Sequence, residues 1–162
     1  MDDRKILTHP FDALYRKDSR VLILGSFPSV VSREKSFYYA NATNRFWPVM
    51  EMVFEDSAAD RIAFCERHHI ALWDVIGSCT IHGSSDASIG NVVVNDIDSL
   101  IRKTEIRAIF TTGRKASVLF EKYVKTDTPQ FALPSTSAAN ARMKAADLAE
   151  QYRMIRYYAE KD

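Results

Sequence analysis

Four short apolar runs, VLIL at 21–24, IALW at 70–73, IRAIF at 106–110 and FAL at 131–133, are separated by stretches whose apolar residues recur every three or four positions. Runs of that length read as strands buried on both faces, and the intervening spacing is that of helices. Strands alternating with helices fold as a parallel sheet covered on both sides, with right-handed crossovers. The expected architecture is a three-layer α/β/α sandwich around a central, mostly parallel four-stranded sheet. Helices are expected over 46–53 with Asn44 or Thr43 as cap and Pro48 in the first turn, over 58–68, from Asn95 or Asp96, from Thr112 or Gly113 through Phe120, and over 142–158. Residues 74–77 read as a turn, and 77–91, rich in Gly, Ser and Asp, as a long irregular segment. With 162 residues, 46% of them hydrophobic, there is material for one core and too little length for two ordinary domains, so 1–162 is expected to be a single domain.

Chemistry in such a sheet is expected where strands end in loops. The loop after 21–24 opens with Gly25, Ser26, Phe27, Pro28 and Ser29, a small-residue turn suited to exposing backbone N–H groups to a phosphate, another anion or a water. It continues through Phe37, Tyr38 and Tyr39 to Asn41 and Asn44. A flat nucleobase needs a stacking surface and amide groups for its polar edge, and this connection supplies both. The same residues also suit a plain structural role, with Tyr38, Phe46 and Trp47 in the core and Asn44 as a helix cap. The loop after 131–133 presents Pro134, Ser135, Thr136 and Ser137, whose hydroxyls suit contacts to a nucleic-acid backbone.

GSFPS at 25–29, FYYANATNRFW at 37–47, LWDVIGSC at 72–79 and LPSTSAA at 133–139, in that order, resemble the uracil-DNA glycosylase superfamily, and within it the DNA-deoxyinosine (hypoxanthine-DNA) glycosylase branch. The resemblance spans about residues 21–142. It implies a monofunctional enzyme that flips a deaminated base, preferentially hypoxanthine, from double-stranded DNA and hydrolyses its N-glycosidic bond. An abasic site is left, and no metal or other cofactor is used. In the mismatch-specific uracil branch, the third residue of the first loop is an asparagine that orients the attacking water; Phe27 stands there and cannot. The resemblance therefore assigns the catalytic role to Asn44, with Asn41 as the alternative. Gly25, Ser26, Phe27, Pro28, Ser29, Tyr39 and Asn41 are assigned to substrate binding, with Tyr39 stacking on the flipped base. Pro134, Ser135, Thr136 and Ser137 are assigned to the loop that presses into the DNA minor groove. Thr111-Thr112-Gly113 departs from the Asn-Gly of the branch and puts one pocket contact in question. A uracil or thymine mismatch glycosylase and a non-catalytic damaged-DNA binding module are the alternative readings, single-stranded DNA is a second candidate partner, and a monomer is expected.

Other residue groups suggest competing chemistry. Cys65 with His68 and Cys79 with His82 form a Cys2His2 set on paper, though neither pair is embedded in a compact zinc motif. With two cysteines, the chain cannot by itself hold a four-cysteine iron–sulfur cluster. A serine hydrolase would use Ser26 or Ser29 with His82 and Asp74, but the nucleophile elbow is missing. Asp74 and Asp86 are candidates for an acid, a base or the partner of a histidine, and Asp74 is expected first to cap or orient the turn after Trp73. No run approaches the roughly 20 apolar residues of a membrane span, and the start of the chain lacks a secretory pattern, so a soluble protein in a reduced, cytoplasmic setting is expected. Net charge is only +1, yet 1–100 carry ten Lys or Arg against fourteen Asp or Glu, and 101–162 carry twelve against seven. Any basic face thus belongs to the second part, where ordinary solvated helices would give the same imbalance.

Overall fold

In the computed structural model, residues 6–82 and 86–161 are described, and the side chain of Asp86 lies outside the description. Strand β2 (Val21–Gly25) is buried along its whole length because both of its faces are covered. It pairs in parallel with β3 (Ile70–Asp74) on one side and with β6 (Ala108–Thr112) on the other, and β6 pairs in parallel with β7 (Gln130–Leu133). The sheet order is β3-β2-β6-β7, and all four carboxyl ends lie along one edge.

Alternation along β2 sorts the core into two layers. Val21 and Ile23 face a cluster built with Phe46, Trp47, Val49, Met50, Val53 and Phe54 of α2 (Phe46–Phe54), Phe64 of α3 (Arg61–Arg67), and Leu148, Tyr152 and Ile155 of α6 (Ala145–Glu160). Leu22 and Leu24 face the opposite cluster, with Ile97 and Leu100 of α4 (Ile97–Arg102) and Leu119 and Phe120 of α5 (Arg114–Tyr123). Asp60 and Asp96 accept backbone N–H bonds at the starts of α3 and α4, so those helices begin where a capping side chain is available.

Three features depart from the expectation. The 77–91 stretch is not irregular throughout. It contains β4 (Ile76–Thr80) and β5 (Gly90–Val94), which pair antiparallel through two register shifts, and β4 also pairs antiparallel with β1 (Ile6–Thr8). The turn expected at 74–77 shrinks to Val75 between β3 and β4, and it is held by the Asn95 amide, which donates to the carbonyls of Asp74 and Ile76, not by the Asp74 side chain. The first loop also includes a short helix, α1 (Val30–Lys35), which Ser29 caps by accepting from the Ser32 N–H at 3.1 Å.

The small sheet has a consequence at the main sheet's carboxyl edge. Pairing of Thr8 with Ser78, extended by a 2.7 Å bond from the His9 N–H to the Gly77 carbonyl, lays His9 beside the end of β3.

Ile23 is fully buried at the centre of the sheet, so Ile23→Ala should cost about 2–5 kcal/mol by lost burial plus cavity. Urea unfolding should show a lower midpoint with an unchanged slope.

Candidate functional site

The carboxyl edge of the parallel sheet opens into a cleft of about 210 Å³. A nucleobase is far smaller than the ligands that fill the roughly 300–1,000 Å³ of drug-sized sites, so the scale suits one base. Every residue of the 25–29 turn lines the cleft, as do Tyr39, Asn41 and Asn44 from farther along the first loop, and Ser135, Thr136 and Ser137 from the second. Asp74 from β3 and Thr112 from β6 complete the strand-end floor. Pro134 does not line the cleft; its carbonyl accepts from the Tyr152 hydroxyl at 2.5 Å.

Asn44 has a defined orientation. Its Oδ1 accepts from the Phe46 N–H at 2.9 Å and from the Thr136 hydroxyl at 2.8 Å. A backbone N–H can only donate, so the oxygen must face it, and Nδ2 is the end left without a partner among the described residues. The N-cap of α2 is Arg45, whose side chain makes no capping bond, and not Asn44 or Thr43 as expected; Asn44, one residue earlier, meets the first helical N–H instead. Asn41 differs: its Oδ1 accepts from both the N–H and the hydroxyl of Thr43, closing a local turn. Thr136 is 1% exposed and spends its hydroxyl on Asn44, so it links the two loops instead of facing outward as expected for a backbone contact. Ser135 and Ser137 are partly exposed, each accepting an N–H from two residues ahead.

Tyr39 stacks on Phe46 with ring centroids 3.8 Å apart and planes 14° from parallel. Its backbone adopts a positive φ of 52°, uncommon for a bulky residue, and the stack below it holds that conformation in place. Burial first, and then the nearby Asp74 charge, pushes the Tyr39 phenol upward, so the phenol keeps its proton. Thr112 donates to the Leu24 carbonyl at 3.3 Å, leaving its oxygen to accept the Tyr39 hydroxyl at 3.1 Å. Phe27 lines the cleft, but its ring is packed in the core, edge-on to His9 and beneath the Arg33 guanidinium.

Two functional candidates escaped the sequence reading. Arg45 is the first. Its guanidinium donates to the carbonyls of Thr136, Ser137, Asn140 and Met143, while its own N–H bonds the Thr136 carbonyl at 3.0 Å. The second loop is therefore wrapped around one cation from the first. His9 is the other: its Nε2 lies 2.7 Å from Asp74 Oδ2, and its Nδ1 lies 2.7 Å from the Phe11 carbonyl. A basic residue following an asparagine before an aromatic pair is a weak signal for the first, and a lone histidine 65 positions from its partner gives none for the second.

The remaining alternatives are separated by geometry. Asp74 pairs with His9 and not with His82, so the hydrolase triad is not assembled. Cys65 and Cys79 lie in opposite core layers, and burial pushes the Cys65 thiol up to about 12, against the thiolate a metal needs.

Replacing Arg45 with Met should cost about 2–4 kcal/mol, because it strands several carbonyls at once. Hydrogen exchange should quicken across 134–144 more than in β2, and Arg45→Lys should restore only part of the protection, since an ammonium cannot fan out to four acceptors.

Known proteins resemble this chain along most of its length. A family model described as the uracil DNA glycosylase superfamily matches residues 13–157. A hypoxanthine DNA glycosylase of Methanosarcina acetivorans is 32% identical over 138 residues, covering 82% of this chain and 87% of its own. A protein of the same name from Methanosarcina barkeri is 30% identical over 112 residues, covering 65% and 71%. The solution NMR structure of a candidate uracil DNA glycosylase from Methanosarcina acetivorans matches with a TM-score of 0.75 at 29% identity, over 93% of this chain and 99% of that one. By its matched length, its parallel sheet and the loops that close on one base-sized cleft, the chain belongs to the uracil DNA glycosylase superfamily.

Proposed function

We propose that this protein is a monofunctional DNA glycosylase that takes a deaminated base, hypoxanthine first, out of double-stranded DNA and hydrolyses its N-glycosidic bond. The observation that carries the reading is the single cleft in which the base-facing residues of the first loop meet the hydroxyl-bearing second loop through the Asn44–Thr136 bond. Support for hypoxanthine comes from the activity named for the two Methanosarcina relatives. The protein works as one domain and one copy, in the cytoplasm.

Flipping a mispaired inosine costs a few kcal/mol, less than flipping a well-paired base, so the lesion favours its own extrusion. Pro134, Ser135 and Ser137 meet the flanking backbone, with exposed Arg142 and Lys144 on the same connection adding charge, while Thr136 anchors the loop from within. The extruded base enters beside Tyr39, whose other side is already stacked on Phe46.

Cleavage passes through an oxocarbenium-like sugar, and negative charge gathers on the departing base. Asn44 serves this step as a donor. Its Oδ1 is occupied twice, so the Nδ2 hydrogens meet the charge building on the base and lower the barrier without reorientation. The same orientation argues against Asn44 accepting a proton from the attacking water. Asn41, closed on Thr43, has a structural role. Among the described residues no lysine lines the cleft, which fits hydrolysis to an abasic site without an imine intermediate.

Purified protein should be incubated with duplexes carrying hypoxanthine, uracil, xanthine or thymine, then treated with alkali to reveal abasic sites. Hypoxanthine should be cut fastest. Tight binding to the inosine duplex with no abasic product would instead identify a binding module. In single-turnover assays, Asn44→Ala should slow excision at least about 10-fold, the scale of one lost charge-stabilising donor or more, while Asn41→Ala should change it less. Equal losses at both positions would overturn the assignment.

A further inference from the structure

At the floor of the cleft lies a carboxylate that the cleavage step above does not use. The Asp74 side chain is 7% exposed and the His9 side chain 4%, and their 2.7 Å contact is the only ion pair either makes among the described residues. Asp74 Oδ2 faces His9; Oδ1 has no hydrogen-bond partner among the described residues and lies over Gly25. A Cβ placed on Gly25 would come within 2.5 Å of that oxygen and 3.6 Å of the Tyr39 hydroxyl oxygen, so the missing side chain leaves room for the carboxylate.

His9 determines what this oxygen can do. Its Nδ1 faces a backbone carbonyl, which only accepts, so Nδ1 carries a proton. The ring is held by Phe11 at 4.6 Å, Phe27 at 5.9 Å and Tyr38 at 6.0 Å between centroids. One further proton can sit between Nε2 and Oδ2, on either atom. In both placements Oδ1 is left as a pure acceptor. The Tyr39 oxygen beside it has its own hydrogen committed to Thr112 and also presents a lone pair. Two acceptors thus converge at the strand ends, while Asn44 Nδ2 supplies a donor from the first loop.

We propose that Asp74 reads the ring N–H of a lactam base, and that His9 is the positioning residue that keeps its cleft-facing oxygen an acceptor; this rests on the glycosylase reading above. Hypoxanthine presents N1–H beside its carbonyl at position 6, and uracil presents N3–H in the same relation. Adenine and cytosine present a bare ring nitrogen there, which would oppose Oδ1 lone pair to lone pair. The floor therefore accepts deaminated bases as a class and refuses their amino parents, and the shape of the cleft selects among lactams. A site that hydrogen-bonds a substrate N–H rejects analogues lacking it far more strongly than an apolar pocket rejects a change in size.

Single-turnover excision should be measured on duplexes containing deoxyinosine, N1-methyldeoxyinosine, deoxyadenosine, deoxyuridine and N3-methyldeoxyuridine. Wild type should prefer hypoxanthine to its N1-methyl form by about 100-fold or more, as loss of a read N–H implies. Asp74→Ala, which removes the acceptor and makes room for the methyl group, should collapse that ratio to within about 10-fold. His9→Leu should raise excision of adenine relative to hypoxanthine, and His9→Gln, which can still donate to Oδ2, should restore discrimination. A merely structural role would not move these ratios. Equal excision of hypoxanthine and N1-methylhypoxanthine by wild type overturns the inference even if every variant fails to fold. So does an Asp74→Ala protein that slows both substrates by the same factor, the behaviour of a group acting on water. If wild type removes neither hypoxanthine nor uracil, the glycosylase reading falls and the inference falls with it; if it removes them and the ratios stand still, only the inference falls.

Discussion

One guanidinium holds the two halves of the site together. Arg45 donates to four carbonyls spread over residues 136–143, a stretch without regular secondary structure whose backbone acceptors would otherwise need water. Buried acceptors left unmet cost more than a typical hydrogen bond returns, so a cation with five donors in a fixed fork is an efficient way to fold such a loop. Because Arg45 immediately follows Asn44 and precedes α2, the register of the second loop is tied to the start of that helix. α2 in turn packs along α6, so the clamp rests on the most aromatic part of the core.

That core also explains how Tyr39 can keep a left-handed backbone. Phe46 stacks beneath it, Trp47 packs edge-on to Phe46 at 5.0 Å, and the Trp47 indole donates to the Tyr38 carbonyl at 3.2 Å. Tyr38 is anchored through its hydroxyl to the Asp12 carbonyl at 2.9 Å. Conformations of this kind persist only where the surroundings over-determine them, and here each neighbour of Tyr39 is pinned by a separate contact. The aromatics of the first loop are divided between two tasks. Tyr38, Phe46 and Trp47 are core, and the support they give lets Tyr39 stand at the cleft.

What was legible in the sequence follows from the same physics. Parallel strands buried on both faces are mostly apolar, so β2, β3 and β6 announced themselves, while the half-exposed edge strand β7 was legible only from its short FAL run; together they set the edge where the loops emerge. The β1-β4-β5 sheet did not: β4 reads IGSCT and β5 reads GNVVV, with glycine and small polar residues where an alternating pattern would be sought, and the register shifts between them break the period further. The short α1 carries SREK within six residues and has no apolar stripe to reveal it. At the site, residue type was readable and orientation was not. Asn44 could be named as an amide in the right loop, but only the positions of the Phe46 N–H and the Thr136 hydroxyl show which end of it is free. Thr136 looked like its serine neighbours and is buried. His9 was invisible because its meaning depends on β1 pairing with β4, a contact between distant segments.

Orientation is the property on which the proposed selectivity of this cleft rests. Net charge near zero gives it little long-range field, so discrimination has to come from fixed dipoles at close range. Three hydrogen-bond relays supply them. Thr136 and the start of α2 pin the Asn44 oxygen, Leu24 through Thr112 pins the Tyr39 hydroxyl, and Phe11 through His9 pins one oxygen of Asp74. Each relay ends on backbone or on a residue held by backbone, and each leaves one polarity facing the cleft. A site assembled this way does not reorganise when a base enters or when charge develops on it, and that is the condition under which dipoles stabilise a transition state more than they stabilise the substrate. The strand-end loops supply the residues, and the rigidity of the sheet and helices behind them makes their polarity count.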